Sequence, residues 1–448
     1  MHLSRDFSKR STFDIKSLLF KTKFRTFILL LWLLFFLYCG YYYFLLSSIT
    51  SSEKKKLQIH SENNLETTTN TPNEHQQQVP NKEDKTNNLA KIDDPKIQQP
   101  IPPDSSNVIP IVIFTYQRAE YLKECIETLF RYIPSKGFHI YVSQDGFDEK
   151  VKETVDSFGD KIKKHFQRER NVIIPDKISN IVAYYSIAQH YKFGIDHVFA
   201  EDENYDRIII LEEDLRVAPD FFEYFTHMSP LLDMDTSLFC ISAWNDNGMK
   251  GFVKDPAKFY RSDFFPGLGW MIRRKLWQDD FGPKWPLGFW DDWIREGTIR
   301  KGRSCIRPEI SRTYTFGFKG GASSNQFSNY LHAIVLNSES IDWNKVDINS
   351  LVKSNYDQEF IKEVKSSTLI NTNELGMKEN EKIRLEYTTS DEYMRIAREI
   401  GIMADVKAGV PRGAYLGTVT VRLRSNTLYI TTPSFAPQTY TNMPPYKI

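Results

Sequence analysis

Three short runs constrain the fold of this 448-residue chain most: 109–115 (IPIVIFT), 138–143 (FHIYVS) and 207–211 (RIIIL). Each is mostly apolar and rich in β-branched residues, as in strands buried on both faces. The stretches between them have helical spacing. Tyr121, Leu122, Cys125 and Leu129 share one face of 119–132, and Ile187, Tyr191 and Ile195 share one face of 181–198. Residues 149–158 also read as a helix. This β-α-β-α alternation predicts an α/β fold, with a parallel sheet covered by helices on both faces. Such sheets bind ligands at the carboxyl ends of their strands. Three polar elements fall there: Gln117-Arg118, Asp145 and Glu212-Glu213-Asp214.

Residues 27–46 (FILLLWLLFFLYCGYYYFLL) carry no charge. About 20 helical residues span the roughly 30 Å of a bilayer core. The run ends in aromatic residues, which suits a retained anchor better than a cleaved signal. Arg5, Lys9, Arg10, Lys16, Lys21, Lys23 and Arg25 precede it, against Lys54, Lys55 and Lys56 after it. That bias puts the N-terminus in the cytoplasm and the rest in a secretory lumen. Residues 47–106 are polar and poor in aromatics, so they bury too little apolar area to fold and read as a flexible stem. The expected organisation is a tail (1–26), an anchor (27–46), a stem (47–106), a catalytic domain (107–333) and a smaller C-terminal domain (334–448). The last ends in a hairpin of 418–423 and 428–432.

The net charge is +1, from 58 basic and 57 acidic residues. That balance excludes a broad nucleic-acid surface. Cys39 lies in the anchor, and two of Cys125, Cys240 and Cys305 can pair in an oxidising lumen.

The acids at 212–214 close a buried strand, where such charge is costly unless a cation joins it. Mg²⁺ and Mn²⁺ bind through one or two carboxylates plus substrate phosphates. An acidic turn capping the next helix is the plain alternative. In Phe289-Trp290-Asp291-Asp292-Trp293, carboxylates beside tryptophans suit a sugar site with a general base. The plain alternative there is a helix start with acids in its first turn, a part Asp292 suits. Arg118 can hold a phosphate or base, or stand as a plain surface arginine. Asp145 can hold a ribose hydroxyl or cap a helix. His190, mid-helix, reads more readily as a packed residue than as a ligand. Ser323 lies in a Gly-rich loop that can meet phosphate or serve as a plain linker.

APDFFEYF (218–225), SAWNDNG (242–248), DFFPGLGW (263–270), FWDDW (289–293) and CIRPEISRT (305–313) occur in this order. With these strings the chain resembles the family of β-1,2-N-acetylglucosaminyltransferases that act on the α-1,3-linked mannose of N-glycans. The resemblance implies a GT-A type nucleotide-sugar-binding domain, a smaller C-terminal domain and a single-pass type II Golgi membrane protein. It implies UDP-GlcNAc as donor, an oligomannose N-glycan as acceptor and Mn²⁺ as cofactor. Arg118, Asp145 and His190 match positions that hold the uridine nucleotide. Asp214 matches the Mn²⁺ ligand, and Glu212 and Glu213 match positions near the donor sugar. Asp291 matches the catalytic base, Trp290 lines the GlcNAc site and Ser323 matches a serine of the loop over the diphosphate. Cys240 and Cys305 match a disulfide pair.

The chain departs from the family in three places. Glu213 stands where the family's triplet usually has Asp. Tyr116 and Gly146 stand where animal members have a second disulfide. One extra glycine in the loop makes Ser324 a second candidate for the role of Ser323. The rival readings are GlcNAc transfer to O-linked mannose, a non-catalytic lectin-like protein and a glycosidase. The low-complexity stem, the intact acids and the diphosphate-binding elements argue against them in turn.

Overall fold

The computed structural model describes residues 108–175, 182–319 and 327–433. The chain divides into two units, Met1–Asp94 and Pro95–Ile448, and every described residue lies in the second. The anchor at 27–46 and most of the stem at 47–106 fall in the first, and both lie outside the described residues. Among the described residues, no helix is long and apolar enough to cross a membrane.

The first half runs β1 (Ile109–Thr115), α1 (Ala119–Tyr132), β2 (Phe138–Asp145), α2 (Glu149–Asp156), β3 (Ile162–Arg168), α3 (Val182–Glu201) and β4 (Arg207–Glu212), with β3 an added strand between the two expected helices. Short β5 (Leu215–Val217), α4 (Phe221–Met228), β6 (Leu238–Ser242), β7 (Phe259–Ser262) and β8 (Trp270–Arg273) follow. Then come α5 (Trp290–Arg295), β9 (Ser304–Pro308) and β10 (Thr313–Thr315).

The main sheet has the order β3-β2-β1-β4-β8-β6-β9-β7. It is parallel from β3 to β4, but β8 pairs antiparallel with both β4 and β6. The sheet is therefore mixed, which corrects the all-parallel expectation. β8 follows β7 rather than a crossover helix, and antiparallel neighbours need none.

β1 explains why its run is apolar throughout. Ile109, Ile111 and Ile113 pack with Leu122, Cys125 and Leu129 of α1, while Val112 and Phe114 pack with Ala188, Tyr191 and Ile195 of α3. Successive side chains alternate faces, so a strand covered on both sides needs apolar residues at every position. Gly194 lets α3 approach closely: a Cβ there would lie 2.5 Å from the Phe114 ring. Cys240 and Cys305 face each other across β6 and β9 and form a disulfide. Closing this loop stabilises the fold by roughly 4 kcal/mol.

The C-terminal region adds α6 (Lys353–Ser366), β11 (Thr368–Leu369), β12 (Lys382–Glu386), α7 (Ser390–Ile400), β13 (Val406–Lys407), β14 (Val410–Pro411), β15 (Ala414–Tyr415), β16 (Thr418–Leu423) and β17 (Asn426–Thr431). β11-β12-β17-β16-β15 form a second sheet, with β16 and β17 as the expected hairpin. Its core runs into the first region: Ile383, Val419 and Ile430 cluster with Trp244 and Phe264.

Candidate active site

In the main sheet the strand order reverses between β1 and β4, because β2 follows β1 on one side while β4 lies on the other. That reversal opens a crevice at the strands' carboxyl ends. Phe114 sits opposite Glu212, and the Glu213 amide donates to the Phe114 carbonyl at 2.9 Å. The chain then turns into β5, which pairs antiparallel with β10.

Arg118 reaches across the crevice. Its Nε donates to Glu213 Oε1 at 2.7 Å, its Nη2 to Asp214 Oδ2 at 2.8 Å and its Nη1 to the Lys319 carbonyl at 3.3 Å. Glu213 and Asp214 are buried. Burial works against the arginine's charge, but Glu213 and Asp214 outweigh it and hold the guanidinium protonated. Burial, then the charge of Asp214, pushes the Glu212 carboxyl above the usual range. Burial also pushes Glu213 upward, against the pull of Arg118. The cluster thus sets three carboxyl groups beside one guanidinium.

Glu212 accepts from the Tyr191 hydroxyl at 2.5 Å. Tyr191 stacks on Phe114 at 4.3 Å and on Trp290 at 4.4 Å. Trp290 is itself buried and stacks on Trp285. One aromatic column therefore ties the triplet to the FWDDW segment. Beneath it the buried Cys125 thiol lies 3.7 Å from the Glu212 carbonyl. Burial raises its pKa, which marks an inert packing cysteine.

Asp145 ends β2 and forms a separate cluster. Arg168 donates to it at 2.8 Å and Arg170 at 3.3 Å, and the Ser186 hydroxyl also donates to it. Arg170 also donates to the Tyr116 hydroxyl at 2.8 Å, which links this cluster to the end of β1. His190 pairs with Ser143 at 2.9 Å. Burial, then nearby Arg168, pushes its pKa down to about 3, so the imidazole is neutral. Positions 116 and 146 adjoin: a Cβ at Gly146 would lie 3.7 Å from the Tyr116 ring.

Asp291 stands in the first turn of α5. Phe289 starts that turn at φ +53°, and its ring stacks on Tyr184 of α3 at 4.9 Å. Asp291 is 45% exposed; its Oδ2 accepts from Arg295 at 2.8 Å, and its Oδ1 has no partner among the described residues. Arg295 is buried, donates to the Phe265 carbonyl and lies 4.7 Å over the Phe264 ring. Asp292 meets Lys407 at 3.2 Å.

Ser323 and Ser324 lie outside the described residues. Sequence reasoning missed Arg168, Arg170, Ser186, Tyr191, Arg295, Lys407 and Gly317. The strand-end rule reaches Arg168 and Arg170, because β3 ends there as β2 ends at Asp145. β3 itself is an edge strand, and its KKHFQR pattern lacks the apolar run of a central strand. Gly317 follows β10, and a Cβ on it would lie 1.8 Å from Asp214 Oδ2. No local sequence signal ties that glycine to the acid.

The family model described as the GNT-I family matches residues 24–443. This chain belongs to the GNT-I family. One Arabidopsis thaliana relative, an alpha-1,3-mannosyl-glycoprotein 2-beta-N-acetylglucosaminyltransferase, is 40% identical over 325 residues, covering 71% of this chain and 72% of the relative. Among solved structures, S. aureus TarS (1–349) with UDP aligns at TM-score 0.32 and 11% identity, covering 66% of this chain and 79% of that one. A Pyrobaculum calidifontis mannosyltransferase with GDP-Man and Mn²⁺ aligns at TM-score 0.30 and 13% identity, covering 48% and 58%. Superpositions that loose carry no argument about the site. Family membership rests on the sequence matches, and the described crevice is where this member gathers Arg118, Glu212, Glu213 and Asp214.

Proposed function

We propose that this protein transfers GlcNAc from UDP-GlcNAc to the 2-hydroxyl of the α-1,3-linked mannose of an oligomannose N-glycan, with inversion at the anomeric carbon. The observation that carries the proposal is the 40% identity over 325 residues to a relative named for that transfer. The convergence of Arg118 with Glu213 and Asp214 at the strand reversal supports it.

Asp291 is the proposed base. Arg295 holds one of its oxygens, and the other is open to a substrate hydroxyl. Asp291 takes the proton of the mannose 2-hydroxyl, and that oxygen attacks the anomeric carbon. A C–O bond to mannose forms as the C–O bond to the diphosphate breaks, and UDP departs with the electron pair. Arg118 supplies positive charge near the leaving group. Asp145, with Arg168 and Arg170, is the proposed nucleotide cluster, and neutral His190 helps shape it.

The residues fit a divalent cation. Asp214 is a buried hard oxygen donor beside two further carboxyl groups, and the bare Cα of Gly317 leaves room for its carboxylate. Among the described residues no three His, Cys, Asp or Glu side chains gather into a closed cage. Phosphate oxygens of the donor would complete an open site held by Asp214, as Mg²⁺ and Mn²⁺ sites often are. Such an ion, proposed to be Mn²⁺, would supply positive charge for the departing diphosphate.

The placement belongs to the same proposal: a single-pass type II protein of the Golgi membrane with a luminal head. The uncharged run at 27–46 and the basic residues before it support that reading.

The test uses purified protein, UDP-GlcNAc, Mn²⁺ and an oligomannose acceptor, with the product linkage read by NMR. A new β-1,2-linked GlcNAc on the α-1,3 arm is expected, and excess EDTA is expected to stop its formation. Transfer only to O-mannosyl peptide, or none to either acceptor, overturns the substrate. Full turnover in EDTA overturns the metal.

A further inference from the structure

Asp292 is adjacent to the proposed base, and its partner comes from 115 residues further along the chain. Lys407 Nζ lies 3.2 Å from Asp292 Oδ1 and 3.4 Å from Oδ2. Lys407 stands on the β13–β14 hairpin, where it pairs with Val410. The tip turns through Ala408 at φ +48° and Gly409 at φ +76°.

The base of the hairpin is fixed. Arg412 donates to Asp405 at 2.6 Å and to Asp246 at 2.7 Å. Its guanidinium lies 4.9 Å from the Phe264 ring, and that of Arg295 lies 4.7 Å from the same ring. The hairpin and the helix carrying Asp291 thus share one aromatic support. Their mutual position is set by buried packing, not by the long side chain of Lys407.

The pair itself is half-exposed, with side chains at 42% for Lys407 and 35% for Asp292. An exposed ion pair stabilises a fold very little. Its open valences are more telling. Asp292 Oδ1 also accepts from Arg295 Nη1 at 3.5 Å, yet the ammonium has three donors and the carboxylate several acceptor sites, so valences of both stay open. A donor and an acceptor about 3 Å apart complement two neighbouring hydroxyls on a sugar ring, one accepting from lysine and one donating to aspartate.

We propose that Lys407 and Asp292 form an acceptor-binding pair. It grips two neighbouring hydroxyls of the mannose whose 2-hydroxyl meets Asp291. The inference rests on the reading of Asp291 as the base. It gives the C-terminal hairpin a direct part in choosing the acceptor.

The test is steady-state kinetics of Lys407→Met, Asp292→Asn and the double variant, with UDP-GlcNAc and an oligomannose acceptor. Each single variant is expected to raise the acceptor KM about tenfold or more, the cost of losing a hydrogen bond to a charged group. The double variant is expected to add little to either, because the two groups act as one unit. UDP-GlcNAc affinity by calorimetry stays at the parent value, and Lys407→Arg recovers most of the acceptor KM. An acceptor KM within about twofold of the parent overturns the inference, and so does an equal loss of donor affinity. A lowered melting temperature with unchanged acceptor KM makes the pair a fold contact and also overturns it. Asp291→Asn separates the two readings. Near-parent turnover there, with a raised acceptor KM in Lys407→Met, removes the base assignment and leaves the binding pair. Loss of turnover there, with Lys407→Met unaffected, removes the pair alone.

Discussion

At the carboxyl ends of β1 and β4, Glu213 and Asp214 meet one guanidinium, Arg118, and Glu212 beside them meets the Tyr191 hydroxyl. On α5, by contrast, Asp291 and Asp292 are half-exposed and meet two cations, Arg295 and Lys407. The first site is short of positive charge and the second is balanced. Buried carboxylates without enough partners are costly, so the first cluster suits an incoming cation and a charged donor. Asp291, half-exposed and with one oxygen open among the described residues, can meet a neutral acceptor from solvent. On this proposal the difference separates donor handling from acceptor chemistry.

The sharpest way to break that separation is Asp291→Asn. It is expected to lower kcat by about 10²- to 10⁴-fold, the usual contribution of a general base, with UDP affinity by calorimetry unchanged. A parallel loss of UDP affinity would merge the two sites into one.

Gly317→Ala probes the other region. The added methyl would displace the Asp214 carboxylate, since its Cβ would fall 1.8 Å from Oδ2. A displacement of about 1 Å costs on the order of 10²-fold in rate. The loss is expected in kcat and donor affinity, with the acceptor KM unchanged. Equal rates for variant and parent would mean that Asp214 has no fixed seat.

A third prediction follows from His190. Its folded pKa is depressed from 6.5 to about 3. Between those values the unfolded chain binds a proton at this position and the folded chain does not. Its contribution to stability is therefore complete above pH 6.5 and falls as pH drops through that window, by up to about 1.4 kcal/mol per pH unit. His190→Gln is expected to flatten the pH dependence of chemical denaturation between pH 6.5 and about 4. An unchanged slope would mean that His190 titrates normally. The effect belongs to the Asp145 side alone, because the Asp291 region carries no buried neutral histidine of this kind among the described residues.

The smallest expected effect is that of Glu213→Asp, which restores the triplet usual in the family. The shorter side chain retreats from Arg118 Nε, now at 2.7 Å. A loss of about 1 kcal/mol in the stability of the ligand-free protein is expected by thermal denaturation. A gain would show that Glu213 is strained where it stands.

The two regions were also unequally legible in the sequence. β1, β2 and β4 were readable because strands buried on both faces must be apolar at every position, and each ends abruptly in polar residues. Hence Arg118, Asp145 and the triplet could be placed before any coordinates. β6 to β9 are short runs of four or five residues, and their pairing with non-neighbours leaves no local period to detect. The mixed character of the sheet was hidden for that reason. Resemblance to the family supplied Asp291 and the Cys240–Cys305 pair. The register of β6 and β9, which sets the two cysteines side by side, lies in the fold.

Sequence by itself determined the α/β class, the crevice at the strand ends and the identity of its acids. Those features depend on burial and spacing within one stretch of chain. Tertiary structure alone decided the counter-charges. Gly317 beside Asp214, Arg295 braced on Phe264, and Lys407 facing Asp292 from 115 residues away are unions of distant segments. Electrostatic balance depends on distance in space, and a linear pattern does not encode it.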